Sequence, residues 1–113
     1  MTDTTRDKAI VNMRTYTVRL RGIPEYLRLF EELGLPIQVR HLGPPVGFYV
    51  SEIGALNQVV HLWGFDSLAD MEARRAKRNA DPDWPKYLAA SAGFITAQED
   101  RIIRRVVFKS LAG

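Results

Sequence analysis

The chain has 113 residues, of which 46% are hydrophobic and 26% charged, and its formal net charge is +3. These values are typical of a single soluble domain that buries its own core. No cysteine is present, which excludes disulfides, thiolate nucleophiles and cysteine-ligated metal centres. The start of the chain is polar, and no stretch approaches the roughly 18 apolar residues of a membrane span. We therefore predict a cytoplasmic protein without a membrane span.

The first elements read as a strand followed by a helix. Residues 10–19 alternate and are rich in β-branched and aromatic side chains, which indicates a strand. Residues 23–33 carry an apolar stripe at helical spacing. Gly34 is predicted to end this helix as a left-handed cap, and Pro36 to prevent its continuation. Residues 35–45 are then predicted to be an irregular connection.

The middle of the chain predicts a hairpin and a second helix. Residues 46–53 and 58–65 both have strand composition, and the short turn at 54–57 makes them an antiparallel pair. Ser67 is predicted to be the N-cap of the next helix, with Asp70 three residues later in the manner of a capping box. The basic residues of this helix are interpreted mostly as a solvated face: Arg74, Arg75, Lys77 and Arg78.

The last third predicts a short helix and a long strand. The helix at 84–91 is predicted to be capped by Asp83, and the strand at 94–108 alternates throughout. The complete order is β-α-β-β-α-β, which is a ferredoxin-like α+β fold with a four-stranded antiparallel sheet.

Two helices cover only one face of such a sheet, so the second face needs a partner. Four residues are candidates for that face: Tyr16, Tyr49, Trp63 and Ile103. Another copy of the chain across a two-fold axis is the natural cover. We therefore predict a homodimer that forms a dimeric α+β barrel.

Short strings in a fixed order give the chain a resemblance to a known family. They are Arg14-Thr15-Tyr16-Thr17, Pro24-Glu25-Tyr26-Leu27, His41-Leu42-Gly43, Gly47-Phe48-Tyr49, Ser51-Glu52-Ile53-Gly54, Asn57-Gln58-Val59-Val60-His61-Leu62-Trp63, Asp66-Ser67, Asp81-Pro82-x-Trp84 with Tyr87-Leu88, and Gln98-Glu99-x-x-Ile102. Together they resemble the NIPSNAP family from about residue 11 to 104. The resemblance implies the same dimeric barrel but no single chemistry. We expect a leader at 1–9, the NIPSNAP-like domain at 10–108 and a tail at 109–113.

A candidate site emerges from neighbouring strands. His61 and Trp63 share one face of the third strand, and we expect Arg14, Tyr16 and Tyr49 to line the same pocket. His61 would be the catalytic acid or base, because an imidazole titrates near neutrality. The other four would bind the ligand, with the arginine holding an anionic group. The alternative is that all five side chains only pack the dimer core.

Other kinds of site find little support in the sequence. His41 and His61 are the only histidines, whereas zinc takes three or four protein ligands, so no metal is predicted. Neither a phosphate-binding glycine loop nor a dinucleotide fingerprint occurs, so no cofactor is predicted. The third strand lacks Lys and Arg, so we predict no nucleic-acid partner.

Two functions therefore remain open. The first is an enzyme, resembling a cofactor-free oxygenase or isomerase, that transforms a small organic molecule in a pocket of the barrel. The second is a non-enzymatic module that binds a ligand or another protein. A polar, closed pocket at His61 would favour the first.

Overall fold

The computed structural model describes residues 8–111 and confirms the ferredoxin-like α+β fold. Four antiparallel strands form one sheet in the order β2-β3-β1-β4. Their bounds are β1 Ile10–Val18, β2 Gly47–Val50, β3 Gln58–Phe65 and β4 Ile95–Arg104. In the register of the sheet, Arg14 of β1 lies between His61 of β3 and Asp100 of β4. The central strands thus bring the predicted arginine and histidine side by side.

Four α-helices lie against one face of the sheet. They are α1 Ile23–Leu29, α2 Leu35–Leu42, α3 Leu68–Asn79 and α4 Trp84–Ser91, with a π turn at Phe30–Gly34 and a 3₁₀ turn at Lys109–Leu111. None of the helices within residues 8–111 is long and apolar enough to cross a membrane. The core beneath them consists of two groups of buried side chains: Val18, Tyr26, Phe30, Ile37, Val59, Trp84 and Tyr87, then Leu42, Trp63, Phe65 and Met71.

The predicted end of the first helix at Gly34 is wrong. Gly34 has a right-handed φ of −88°, and the chain continues through the π turn, in which the Leu35 N–H donates to the carbonyl of Phe30. The wider turn accommodates Pro36, which has no N–H and whose ring would collide with the preceding turn of a regular helix. Residues 35–42 are consequently helical, and Gly43, with φ of +84°, ends α2.

A close approach, rather than a left-handed conformation, explains the glycine at position 34. A Cβ placed there would lie 2.6 Å from Cε1 of Tyr87 and 2.9 Å from Cδ1 of Phe30. Gly34 therefore lets α4 pack directly against the π turn.

Of the two predicted helix N-caps, one is confirmed and the other is wrong. Ser67 Oγ accepts from the Asp70 N–H at 3.0 Å, as predicted. Asp83 occupies the N-cap of α4 but caps nothing with its side chain. The Asp83 carboxylate pairs with Lys86 instead, and the Asp81 carboxylate accepts from the Asp83 N–H at 2.9 Å in the turn before the helix.

The final strand is shorter than predicted and ends at Arg104 rather than at residue 108. Ile10, the first residue of β1, pairs with Arg104, so β1 offers no partner farther along. The predicted leader lies outside the described residues except for positions 8 and 9, and the predicted tail is described only to 111. The domain boundaries therefore stay a prediction.

The four aromatic and apolar residues predicted for the second sheet face do not share one face. Tyr16 is paired with Val59 and Tyr49 with Val60, and successive residues of a strand point to opposite faces. Tyr16 and Trp63 lie buried under the helices, whereas Tyr49 and Ile103 are 58% and 43% exposed on the uncovered face. The prediction failed because both faces of β1 and β3 carry apolar residues.

Candidate functional site

A cleft of about 420 Å³ opens between the helices and the edge of the sheet. Its walls come from α1, the π turn and the start of α2 on one side, and from β2 and β3 on the other. The lining is mainly apolar, with two charged residues and one histidine: Leu27, Arg28, Phe30, Glu31, Leu35, Phe48, Tyr49, Val50, Val59 and His61. A mostly apolar cleft with few polar groups is typical of small-molecule sites.

His61 is the polar group buried in this cleft. It is 1% exposed, and neither Nδ1 nor Nε2 finds a hydrogen-bond partner among residues 8–111. Buried polar groups in proteins nearly always have partners, because an unsatisfied one costs about 1–3 kcal/mol. The imidazole thus lines the cleft while both of its nitrogens are buried and have unused hydrogen-bonding capacity.

The surroundings of His61 keep its imidazole neutral. Burial, and secondarily the positive charge of Arg14, lower the pKa of His61 to about 3. At neutral pH the ring therefore offers one N–H donor and one acceptor nitrogen.

Three aromatic rings hold the imidazole in place. The ring centroid of Phe30 lies 4.6 Å away, and those of Tyr16 and Phe48 each lie 5.0 Å away. Phe48 stands edge-on to the imidazole, at 89° between the two planes. The ring orientation is thus fixed by packing, as a preorganised site requires.

Arg14 and Tyr16 face a different space. They line a smaller cavity of about 210 Å³, deeper under the helices and toward β4. Arg14 Nε lies 3.4 Å from Asp100 Oδ1, and its guanidinium carbon lies 5.6 Å from the centre of the Tyr16 ring. Burial raises the pKa of the Tyr16 hydroxyl, which stays protonated at neutral pH. The predicted single pocket is therefore two spaces.

The two remaining predicted residues lie at the margins. Trp63 lines neither space: it is fully buried beside Leu42 and Met71, and its indole N–H has no partner within residues 8–111. Tyr49 borders the cleft, but its ring packs over Gly47 on the uncovered face of the sheet. The functional roles assigned to all five residues stay predictions.

Sequence reasoning missed several contributors to the two spaces. Phe30 and Phe48 contact His61, but the helical stripe and the strand alternation marked them only as core residues. Arg78 was interpreted as part of a solvated face, yet it is 4% exposed and its guanidinium stacks 4.6 Å over the Trp84 ring. No sequence signal separates this arginine from its three basic neighbours on the same helix.

The part of the chain that the structure describes brings no three His, Asp or Glu side chains together as a metal centre would require. His41 lies on α2, where its Nε2 is 2.8 Å from Asp81 Oδ2. Arg40 pairs with the same carboxylate oxygen at 2.8 Å. This cluster satisfies itself and ties α2 to the turn before α4.

Comparison with known families gives a clear result. The NIPSNAP family model matches residues 11–109, nearly the whole described domain. The chain belongs to the NIPSNAP family. It is 31% identical over 64 residues to a NipSnap homolog of Dictyostelium discoideum. That match covers 57% of this chain and 29% of the relative, so the chain spans less than a third of that longer protein.

Solved structures extend the comparison to three dimensions. A NIPSNAP family protein of unknown function from Agrobacterium tumefaciens is 39% identical, with a TM-score of 0.85 and coverage of 92% of this chain and 94% of that one. A candidate antibiotic biosynthesis monooxygenase from Nitrosomonas europaea has a TM-score of 0.63 at 9% identity, covering 87% of this chain and 99% of its own. At that identity the likeness shows the shared fold alone.

Proposed function

We propose that this NIPSNAP protein binds a small, mostly apolar organic molecule in the cleft, with His61 making the polar contact. The observation that carries the proposal is the buried imidazole with two unpaired nitrogens in an apolar cleft of about 420 Å³. A ligand that supplies one hydroxyl or carbonyl group would satisfy the imidazole and bury its own apolar surface.

Proton transfer by His61 is the chemistry that such a site supports. A pKa of about 3 makes the empty site a weak base at neutral pH. A ligand with an acidic hydroxyl changes this, because a developing negative charge beside the imidazole favours its protonated form. Bound substrate would thereby raise the pKa of His61 toward neutrality, where it can accept a proton as a cofactor-free oxygenase or isomerase needs.

The first test is native mass spectrometry of the protein purified from cells, followed by calorimetric titration with 2-naphthol. This probe has an apolar body and a single hydroxyl. We expect His61→Phe to weaken binding at least about tenfold, because the polar contact is lost while the aromatic packing is kept. Any species that copurifies with the wild type is expected to disappear from the variant.

The matched control is His41→Phe, which makes the same replacement at a histidine outside the cleft. It should bind 2-naphthol like the wild type. Equal affinity of His61→Phe and the wild type, with nothing copurifying with either, would refute the proposal and favour an interaction module.

We also propose that two copies of the chain pair through the uncovered face of the sheet. Half-buried apolar side chains occupy its centre, Met13 on β1 and Val60 and Leu62 on β3. Tyr49 on β2 and Ile103 on β4 extend this apolar surface toward both edges of the sheet. Contiguous apolar surface of this kind is typical of interfaces. Glu99 and Arg101 pair with each other on this face at 2.7 Å, so no net charge opposes a second copy.

Leu62→Lys is expected to convert this dimer to a folded monomer, because it places a charge at the centre of the apolar face. Light scattering coupled to size-exclusion chromatography measures the mass, and circular dichroism checks the fold. Leu88→Lys, on a half-exposed position of α4, is the control and should remain dimeric. A wild-type protein that is monomeric at tens of micromolar would contradict the pairing.

A further inference from the structure

The smaller cavity, of about 210 Å³, is lined by residues of β1, α1, α2, α4 and β4. Its aromatic and apolar lining includes Trp84, Tyr87 and Ile95. Its polar lining includes Arg14 and Gln38. The cavity therefore has the polarity of a small molecule with one polar head and one apolar body.

The charge of this cavity is positive. Arg14 contributes a guanidinium to its wall, and none of its lining residues is acidic. Arg14 is 8% exposed, and its Nε has no hydrogen-bond partner among the described residues. Asp100 is the carboxylate nearest to it, at 3.4 Å from Nε, but that side chain is 38% exposed and lies outside the cavity. This half-exposed ion pair compensates the charge of Arg14 only in part, and the remaining N–H donors of the guanidinium can receive an anion within the cavity.

A second buried arginine lies behind the wall. Arg78 Nη1 donates to Gln38 Oε1 at 3.2 Å, which engages the amide oxygen of the glutamine. The amide group that remains, Nε2, is a donor, and it has no partner among the hydrogen bonds of the described residues. Arg78 thereby sets the orientation of Gln38, whose donor end is left for a ligand. Burial, and secondarily the neighbouring charge of Arg14, lower the pKa of Arg78 to about 10.

We propose that this cavity is a second binding site, which takes a small carboxylate with a short aromatic or branched apolar body. The carboxylate would pair with Arg14 and accept from the Gln38 amide, and the body would pack on Trp84 and Tyr87. Tyr16 separates this site from the cleft at His61, so the proposal does not depend on the cleft.

The test compares benzoate with benzamide, which has nearly the same shape but no charge. Binding is followed by calorimetry and by the fluorescence of Trp84. We expect the wild type to bind benzoate about 10- to 100-fold more tightly than benzamide, as a charge-assisted hydrogen bond implies. Arg14→Met should abolish this preference, whereas Arg74→Met, at an arginine of α3 that pairs with Asp70 outside the cavity, should keep it.

Gln38→Glu provides a second test that retains both arginines. The new carboxylate would accept from Arg78 and stand beside Arg14, and so occupy the place of the ligand's carboxylate. We expect this variant to melt at a higher temperature than the ligand-free wild type and to lose benzoate binding. The result is informative even if Arg14→Met does not fold.

Three outcomes would overturn the proposal. One is equal affinity of the wild type for benzoate and benzamide. Another is unchanged benzoate binding by Gln38→Glu. The third is binding of inorganic phosphate, with the same dependence on Arg14, in the absence of any benzoate binding. We expect His61→Phe to retain the preference for benzoate. This result would distinguish the second site from the cleft.

Discussion

Lowering the pH from 7 to 5 is expected to destabilise the wild-type protein by about 2 kcal/mol through His61 alone, and His61→Phe is expected to remove that loss. Burial, and secondarily Arg14, hold the pKa of the folded histidine at about 3, against 6.5 ordinarily. Between these values the unfolded chain binds a proton that the folded protein does not. The free energy of unfolding therefore falls as the pH falls, by about 1.4 kcal/mol per pH unit.

Urea denaturation at pH 7, 6 and 5 measures this slope. Carboxyl groups with depressed pKa values, such as Asp70 and Asp81, titrate below the window and do not interfere. Phe48→Leu is the control, because it alters the packing around the same imidazole without removing a titratable group, and it should keep the slope. If the free energy of unfolding falls equally with pH in the wild type and in His61→Phe, the imidazole is not held neutral by its surroundings.

Gly34→Ala is expected to lower the free energy of unfolding by about 2 kcal/mol, although alanine is ordinarily better than glycine inside a helix by about 1 kcal/mol. The sign is reversed because the added methyl would lie 2.6 Å from a ring carbon of Tyr87 and 2.9 Å from one of Phe30. Both rings belong to the buried core and neither is the flexible end of a side chain, so α4 must move away.

Thermal and urea unfolding of Gly34→Ala measure the effect. Gly93→Ala is the matched control, since a Cβ at that position meets nothing within 4 Å and its φ is not positive. Its stability should stay within about 0.5 kcal/mol of the wild type. A Gly34→Ala protein as stable as this control would mean that α4 is not packed tightly on the π turn.

The strand order was predictable because alternation and turns are local properties of the sequence. The segments of β3 and α4 were predicted to the residue, and the Ser67 cap followed from its spacing to Asp70. The helix through Pro36 was not predictable from the same rules. A proline after a glycine normally indicates a stop, and the close packing of Gly34 against Tyr87 is a tertiary contact that local sequence rules do not include.

The candidate site was also predicted only in part. The prediction grouped His61 with Arg14, and the two are cross-strand neighbours in the sheet, although strand composition alone does not determine register. The division of the predicted pocket into two spaces depends on where the helices rest on the sheet, and on the position of the Tyr16 ring between Arg14 and His61. Those are tertiary distances, and a single sequence contains no record of them.

The π turn at Phe30–Gly34 also sets how far α2 is rotated about its own axis relative to α1. Each residue of an α-helix advances the chain by about 100°, and a π turn amounts to one inserted residue. Upstream of it, α1 supplies Leu27 to the cleft, and downstream α2 supplies Gln38 to the smaller cavity. Loss of a single codon within the turn would rotate α2 and remove Gln38 from its cavity while leaving α1 in place. Because α1 also supplies Tyr26 to the smaller cavity and α2 supplies Leu35 to the cleft, such an indel would change the shape of both cavities together.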